Sequence, residues 1–272
     1  MLFRSVGDID VDRTEAKIKE MFSDIKNPEN PAPIVDEQVP DNAEPIIIVD
    51  KDKEEQMNSV ELMFKYDSTP EDQKGYLPYL IEDFVTDMAS AMLNERLQEE
   101  AQKADAPFVS AYGYSGNYIF AKTKDAFTFN ATPKDGQTEA SLAALTREAM
   151  RAAKFGFTAT EYERAKANYM SALEKQYTNR DKINNDVFGR ACASNYLEKE
   201  PLLSIEQTYQ IMQQLTPMLP VDVVNEAMKQ LISLSDSNVV IYNTTTEKEG
   251  MVYSTEASLK KAYDRSEERR VG

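Results

Sequence analysis

Hydrophobic positions recur along the chain with two periods, and the alternation between them marks out strands and helices. Ile46 to Val49 forms a short apolar strand, and Val60, Leu62, Phe64 and Tyr66 then alternate with Glu61, Met63 and Lys65 as a half-buried strand does. Thr69 and Pro70 give a helix start signal, Gly75 separates a first turn, and Leu77, Leu80, Ile81, Phe84, Val85, Met88 and Met92 mark one apolar face toward Leu97. Phe108, Ser110, Tyr112 and Tyr114 alternate with Val109, Ala111 and Gly113. Phe127, Phe129 and Ala131 do the same with Thr128 and Asn130, and a further strand is expected around Tyr118, Ile119 and Phe120.

Helical spacing returns at Thr138, with Leu142, Leu145 and Ala149 on one side, and stops at Gly156, a C′ residue. Thr158 and Glu161 have capping-box spacing, with Phe157 and Tyr162 placed for a hydrophobic staple. This helix is expected to run through Ala165, Tyr169 and Leu173 to Val187 and Tyr196, with a break near Asn184-Asn185. Ser204 with Gln207 caps another helix, Pro220 opens a third, and Asn238 to Tyr242 is a closing strand. The order β-β-α-β-β-α-α-α-α-β predicts an α+β fold in which helices layer on one face of a mostly antiparallel sheet.

The first residues stand apart. Leu2, Phe3 and Val6 read as a strand, Gly7-Asp8 as a turn, and Ile9, Ala16, Ile18, Met21, Phe22 and Ile25 as one face of a helix. A lone strand and helix have no partner layer, so residues 1–27 read as the end of another domain. Pro28, Pro31, Pro33, Pro40 and Pro45 make residues 28–45 an extended linker, leaving 46–245 as the main domain. From residue 246 to 272 the sequence is polar, and Ser266 to Gly272 shows no packing face.

Composition narrows the chemistry. The 272 residues carry 31 basic and 47 acidic side chains, a net charge of −16, with one cysteine and no histidine. Within this chain that excludes imidazole acid-base chemistry, Ser-His or Cys-His nucleophile pairs and histidine-based zinc sites. Cys192 cannot form an intramolecular disulfide and reads as a small buried apolar residue. The negative charge argues against nucleic acid as a partner, and the apolar stretch at Ile46 to Val49 is far too short to cross a membrane. No signal-peptide pattern opens the chain, because Asp8, Asp10 and Asp12 follow directly, and the compartment stays open.

Several residue groups invite a functional reading. Asp50, Asp52, Glu54 and Glu61 have calcium-loop spacing, but Glu55 stands where such a loop needs glycine, so a solvated turn is expected. The acidic groups Glu82, Asp83, Asp87 and Glu161, Glu163 read as solvent-facing positions or caps on helices. Gly113-Tyr114-Ser115-Gly116 reads as a tight connection or bulge rather than a phosphate loop. Tyr112, Tyr114 and Tyr118 leave two readings open: aromatic core filling, or a strand edge that accepts an extended peptide by backbone pairing.

The runs Met92-Leu93-Asn94-Glu95-Arg96-Leu97, Ala106-Pro107-Phe108, Thr123-Lys124-Asp125-Ala126-Phe127, Pro133-Lys134-Asp135-Gly136 and Phe155-Gly156-Phe157-Thr158-Ala159-Thr160-Glu161, in this order and spacing, resemble the pitrilysin/insulinase family of zinc peptidases. The resemblance implies a peptidase of two halves, each of two α+β domains, closing around a chamber. Residues 1–27 would end its first, catalytic domain, and residues 46–245 would form the second, non-catalytic one. The family's His-x-x-Glu-His zinc motif is absent, so no catalytic residue and no metal ligand carries over. Zinc is expected only in the parent enzyme, and this chain alone is expected to be inactive. The resemblance further implies that Val109, Ser110, Ala111, Tyr112 and Gly113 form a substrate-anchoring strand edge. Peptide substrates, the upstream catalytic domain and the C-terminal half are the implied partners. The alternative is a catalytically silent structural or assembly subunit of related ancestry.

Overall fold

A computed structural model describes residues 5–268 apart from 27 and 34. Leu2 and Phe3 of the expected first strand lie outside the described residues, and Val6 is in no strand. The helix α1 spans Val11–Phe22 behind the N-cap Asp10, whose side chain accepts from the Arg13 amide (2.9 Å), and it buries no residue.

Five strands form one sheet: β1 (Ile46–Asp52), β2 (Ser59–Asp67), β3 (Phe108–Asn117), β4 (Lys124–Pro133) and β5 (Val239–Thr246). Their order is β1-β5-β2-β4-β3, antiparallel throughout except for the parallel β1–β5 pair. The helices after β1 are α2 (Leu77–Ala101), α3 (Thr138–Phe155), α4 (Ala159–Thr178), α5 (Asn185–Glu198), α6 (Ile205–Leu215), α7 (Val221–Leu231) and α8 (Glu256–Glu268). The expected α+β class holds, with a mostly antiparallel sheet.

The main core joins the inward side chains of the sheet to the helices on that face. Val60, Leu62 and Phe64 of β2, Phe127 and Phe129 of β4 and Ile241 of β5 meet Met88 and Met92 of α2, Leu142 and Leu145 of α3 and Met228 of α7. Phe64 and Phe129 pack edge to face, 6.2 Å between ring centroids, an arrangement the aromatic quadrupole favours. Among the described residues the opposite face carries a small cluster of Met63, Ala126 and Val240, with Tyr118 and Tyr242 against it.

Of four details, the separated first turn before α2 and the break near Asn184-Asn185 agree with the pattern, and the other two depart from it. α2 begins at Leu77 after a short 3-10 turn at Glu71–Gln73, because Gly75 and Tyr76 interrupt the first turn. Tyr118 to Thr123 form the turn between β3 and β4 instead of a strand, with Ile119 at φ +55°, a conformation no strand uses. The long helix after Thr158 breaks into α4 and α5 through a 3-10 turn at Arg180–Lys182. Within the polar stretch after residue 246, α8 buries Leu259, Ala262 and Tyr263, whose i, i+3, i+4 spacing is too brief to stand out in a charged segment.

Both capping boxes form. The Glu161 amide donates to Thr158 Oγ1 (3.3 Å) while the Thr158 amide donates to Glu161 Oε2 (2.7 Å), and Ser204 and Gln207 reciprocate in the same way. Gly156 ends α3 at φ +68° and ψ −156°, a region that glycine alone occupies readily. The turn behind it is clamped from two sides. Arg96 of α2 donates to Gly156 O (3.0 Å) and forks onto Glu161, and Asn225 of α7 accepts from the Phe157 amide (2.7 Å) and donates to its carbonyl (3.2 Å).

The proline-rich segment is extended and tied along the sheet. Lys65 donates to Pro40 O (2.7 Å), Lys124 pairs with Asp41 (2.7 Å) and Asp67, Thr123 Oγ1 donates to Glu37 O (3.1 Å), and Asn42 donates to Val239 O (3.0 Å).

Candidate functional site on the edge strand

Among the described residues β3 closes the sheet on one side and pairs only with β4. The register shifts between Phe108 and Ser110, a bulge that sets Val109 outside the regular ladder. This bulge reverses the side-chain parity that the sequence implies. Phe108 is fully buried, whereas Tyr112 and Tyr114, four and six residues on, stand on the outer face opposite Asn130 and Thr128. They are 48% and 43% exposed and stack on each other at 6.0 Å. Core filling is therefore not their role. Tyr118 instead packs on the small outer cluster, beneath Lys65.

The expected anchoring residues fall along this edge in different states. Val109 is 66% exposed, Ser110 and Tyr112 are exposed, Ala111 is half-buried and Gly113 is buried. Gly113 is covered because Asn94 of α2 reaches it: Asn94 Oδ1 accepts from the Gly113 amide (2.7 Å), and Asn94 Nδ2 donates to its carbonyl (3.1 Å). In an antiparallel ladder alternate residues turn both backbone groups toward or away from the partner strand. Gly113 turns them away from β4, so Ala111 and Ser115 do too, and Tyr112 and Tyr114 bond inward. Gly113-Tyr114-Ser115-Gly116 is thus continuous strand, and the bulge lies earlier, at Val109.

At the end of β3 a 350 Å³ cavity lies against the start of α2, lined by Asp83, Asp87, Asp125, Glu200, Lys74 and Tyr79 among others. Glu200 accepts from Lys74 Nζ (2.6 Å) and Tyr79 OH (2.8 Å), which ties the segment after α5 to α2. Partial desolvation in the concavity, reinforced by Glu200, Asp87 and Glu82, pushes the Asp83 carboxyl up to about 6. Burial likewise pushes the Tyr66 hydroxyl, which is hydrogen-bonded to Ser115, up to about 12. The sequence places Glu82, Asp83 and Asp87 on one helix, but their meeting with Asp125 and Glu200 is a product of the fold. Asn94 gave no signal, since a mid-helix asparagine shows nothing of a strand residue 19 positions away.

Cys192 is exposed, contrary to its expected burial, because α5 buries none of its residues. Asp50, Asp52 and Glu54 lie on a strand and the turn after it, and Glu61 accepts from Asn130. The donor set does not fit a zinc site: the chain has no histidine and one cysteine, and among the described residues no group of three or more His, Cys, Asp or Glu side chains is placed to hold a metal ion. Nor is any helix among the described residues long and apolar enough to cross a membrane.

The sequence of residues 1–169 matches the family described as Peptidase M16 inactive domain. The chain belongs to this family. It is 26% identical over 268 residues to the "Probable zinc protease PqqL" of Escherichia coli (strain K12), a match that takes in 97% of this chain and 28% of the relative. The fold matches the first half of the periplasmic protease PqqL from Escherichia coli (TM-score 0.71, 21% identity, 96% of this chain and 55% of that one). It also matches a structure described as "Predicted insulinase family protease from Yersinia pestis" (TM-score 0.75, 15% identity, 96% and 54%). This inactive M16 domain thus spans 28% of the length of the curated relative it matches and about half of these solved chains.

Proposed function

We propose that this domain is a non-catalytic segment of an insulinase-type zinc protease, where it forms part of the chamber wall and positions peptide substrates on the β3 edge. The observation that carries this reading is an edge strand with exposed Val109, Ser110 and Tyr112, next to a sheet face that carries a small apolar cluster. An extended peptide gains affinity from main-chain pairing on such an edge and specificity from alternate side chains. Zinc would belong to the rest of the protease, and the catalytic domain and the C-terminal half would be the domain's partners. In the same reading residues 1–27 end the preceding domain, 28–45 link it to 46–245, and 246–272 lead toward the next. An α1 that buries no residue, with Ile9, Ile18 and Met21 lining an open groove, supports this division.

The test removes one outward N–H. Ala111→Pro is tolerable on an edge strand because that amide faces away from β4, whereas proline at Tyr112 would break the ladder. Binding of a labelled, end-capped dodecapeptide of alternating threonine and valine, followed by fluorescence anisotropy, should weaken in Ala111→Pro. Equal affinity for both proteins would overturn the reading. The isolated chain should also take up no stoichiometric zinc and hydrolyse no peptide, and metal-dependent hydrolysis by it would equally refute the assignment.

A further inference from the structure

On the strand-edge reading, we propose that Asn94 is a gate on β3: it occupies the place of an incoming peptide residue at Gly113 and sets how far along the edge a docked strand can pair. The carboxamide of asparagine is chemically a peptide group without a chain. Here it offers Gly113 one acceptor and one donor, at 2.7 and 3.1 Å, as a residue of a neighbouring strand would. Gly113 is thereby satisfied without a sixth strand, and its backbone is shielded from solvent.

The geometry bounds what remains. On one side of Ala111 the bulge at Val109 interrupts regular pairing, and on the other Asn94 holds Gly113. Between them Ala111 is the one residue that presents an outward N–H and C=O in regular register. Beyond Gly113, Ser115 is engaged through its side chain with Tyr66. A docked peptide therefore either stops after pairing with Ala111 or displaces the Asn94 side chain and continues along β3. Displacement requires the Asn94 side chain to rotate away and α2, which packs closely along β3, to give way beside Gly113. Asn94 is accordingly a positioning residue, and the cost of breaking its two hydrogen bonds is subtracted from the affinity of any peptide that reaches Gly113.

The experiment uses the full chain and the capped threonine/valine dodecapeptide, with versions N-methylated at single amides to read out the pairing register. Asn94→Ala should bind the peptide about tenfold tighter, the scale of one to two net hydrogen bonds, and one further N-methyl position should become deleterious. Asn94→Asp, which keeps the acceptor for the Gly113 amide and loses the donor to its carbonyl, should fall between. In the wild-type chain, the Asn94 side-chain NH₂ resonance should move as peptide saturates the edge, a readout that needs no variant. Unchanged or weaker binding by a folded Asn94→Ala, or an unmoved Asn94 resonance at saturation, would overturn the gate. If Ala111→Pro abolishes binding while Asn94→Ala matches wild type, the gate fails and the strand edge stands. If Ala111→Pro binds as wild type does, both fail.

Discussion

Gly156 offers the sharpest test of the packing between α2, α3, α4 and α7. A Cβ built on it would lie 2.5 Å from both Cγ and Oδ1 of Asn225 and 2.8 Å from Nδ2, closer than real Cβ contacts come. Its φ of +68° with ψ of −156° adds backbone strain of about 1–3 kcal/mol for any L side chain. Asn225 cannot simply yield, since it bonds both the amide and the carbonyl of Phe157, and leaving a buried N–H unmet costs roughly 1–3 kcal/mol more. Gly156→Ala should therefore destabilise by about 3–5 kcal/mol, which lowers the melting temperature by roughly 6–20 °C for a chain of this size. Gly136 is the control: its φ is +69°, but nothing lies within 4 Å of a Cβ there, so Gly136→Ala should cost only the strain, about 1–2 kcal/mol. Thermal unfolding followed by far-ultraviolet circular dichroism measures both. Equal shifts in the two variants would show that the Asn225 clasp does not hold the turn.

Three further outcomes follow from the contacts described. Burial opposes ionisation of Glu161, but hydrogen bonds from Arg96 and Thr158 outweigh it and hold the carboxyl at about 2 instead of 4.5; this stability is present above about pH 4.5 and is lost as pH falls toward 2. Glu161→Gln should flatten that acid limb, seen as a smaller difference between urea midpoints at about pH 5 and about pH 2.5, and an unchanged slope would contradict it. Leu259→Ala in α8 should cost about 2–5 kcal/mol by chemical denaturation, because Leu259 is fully buried; a loss under about 0.5 kcal/mol would mean that α8 contributes no packing. Lys124→Met should release Asp41 and the proline-rich segment, so limited proteolysis between residues 28 and 45 should accelerate, whereas the wild-type rate would show that the other ties suffice.

The strands β1, β2, β4 and β5 and both capping boxes were legible because each rests on residues close in sequence. Val60, Leu62 and Phe64 announce one face by alternation alone, and Thr158 with Glu161 announces a helix start by a spacing of three. β3 was legible as a strand but not in its facing, since one bulged residue inverts everything after it and leaves no mark in the hydrophobic pattern. The expectation that residues 109–113 anchor substrate rests on family resemblance, and the sequence carries no sign that one of them is covered. α8 is hidden by its charge, and Cys192, a residue type that favours burial, is exposed because its helix packs on so little.

By itself the sequence determined the α+β class, most of the strand and helix cores, the turn at Gly156 and the absence of histidine chemistry, since all of these depend on local spacing or on composition. The tertiary structure decided which face Tyr112 and Tyr114 present, which acids meet at the cavity beside α2, and that Asn94 closes the edge at Gly113. Each of these joins residues far apart along the chain, and burial and backbone hydrogen bonding choose such partners only once the sheet and its helices are in place.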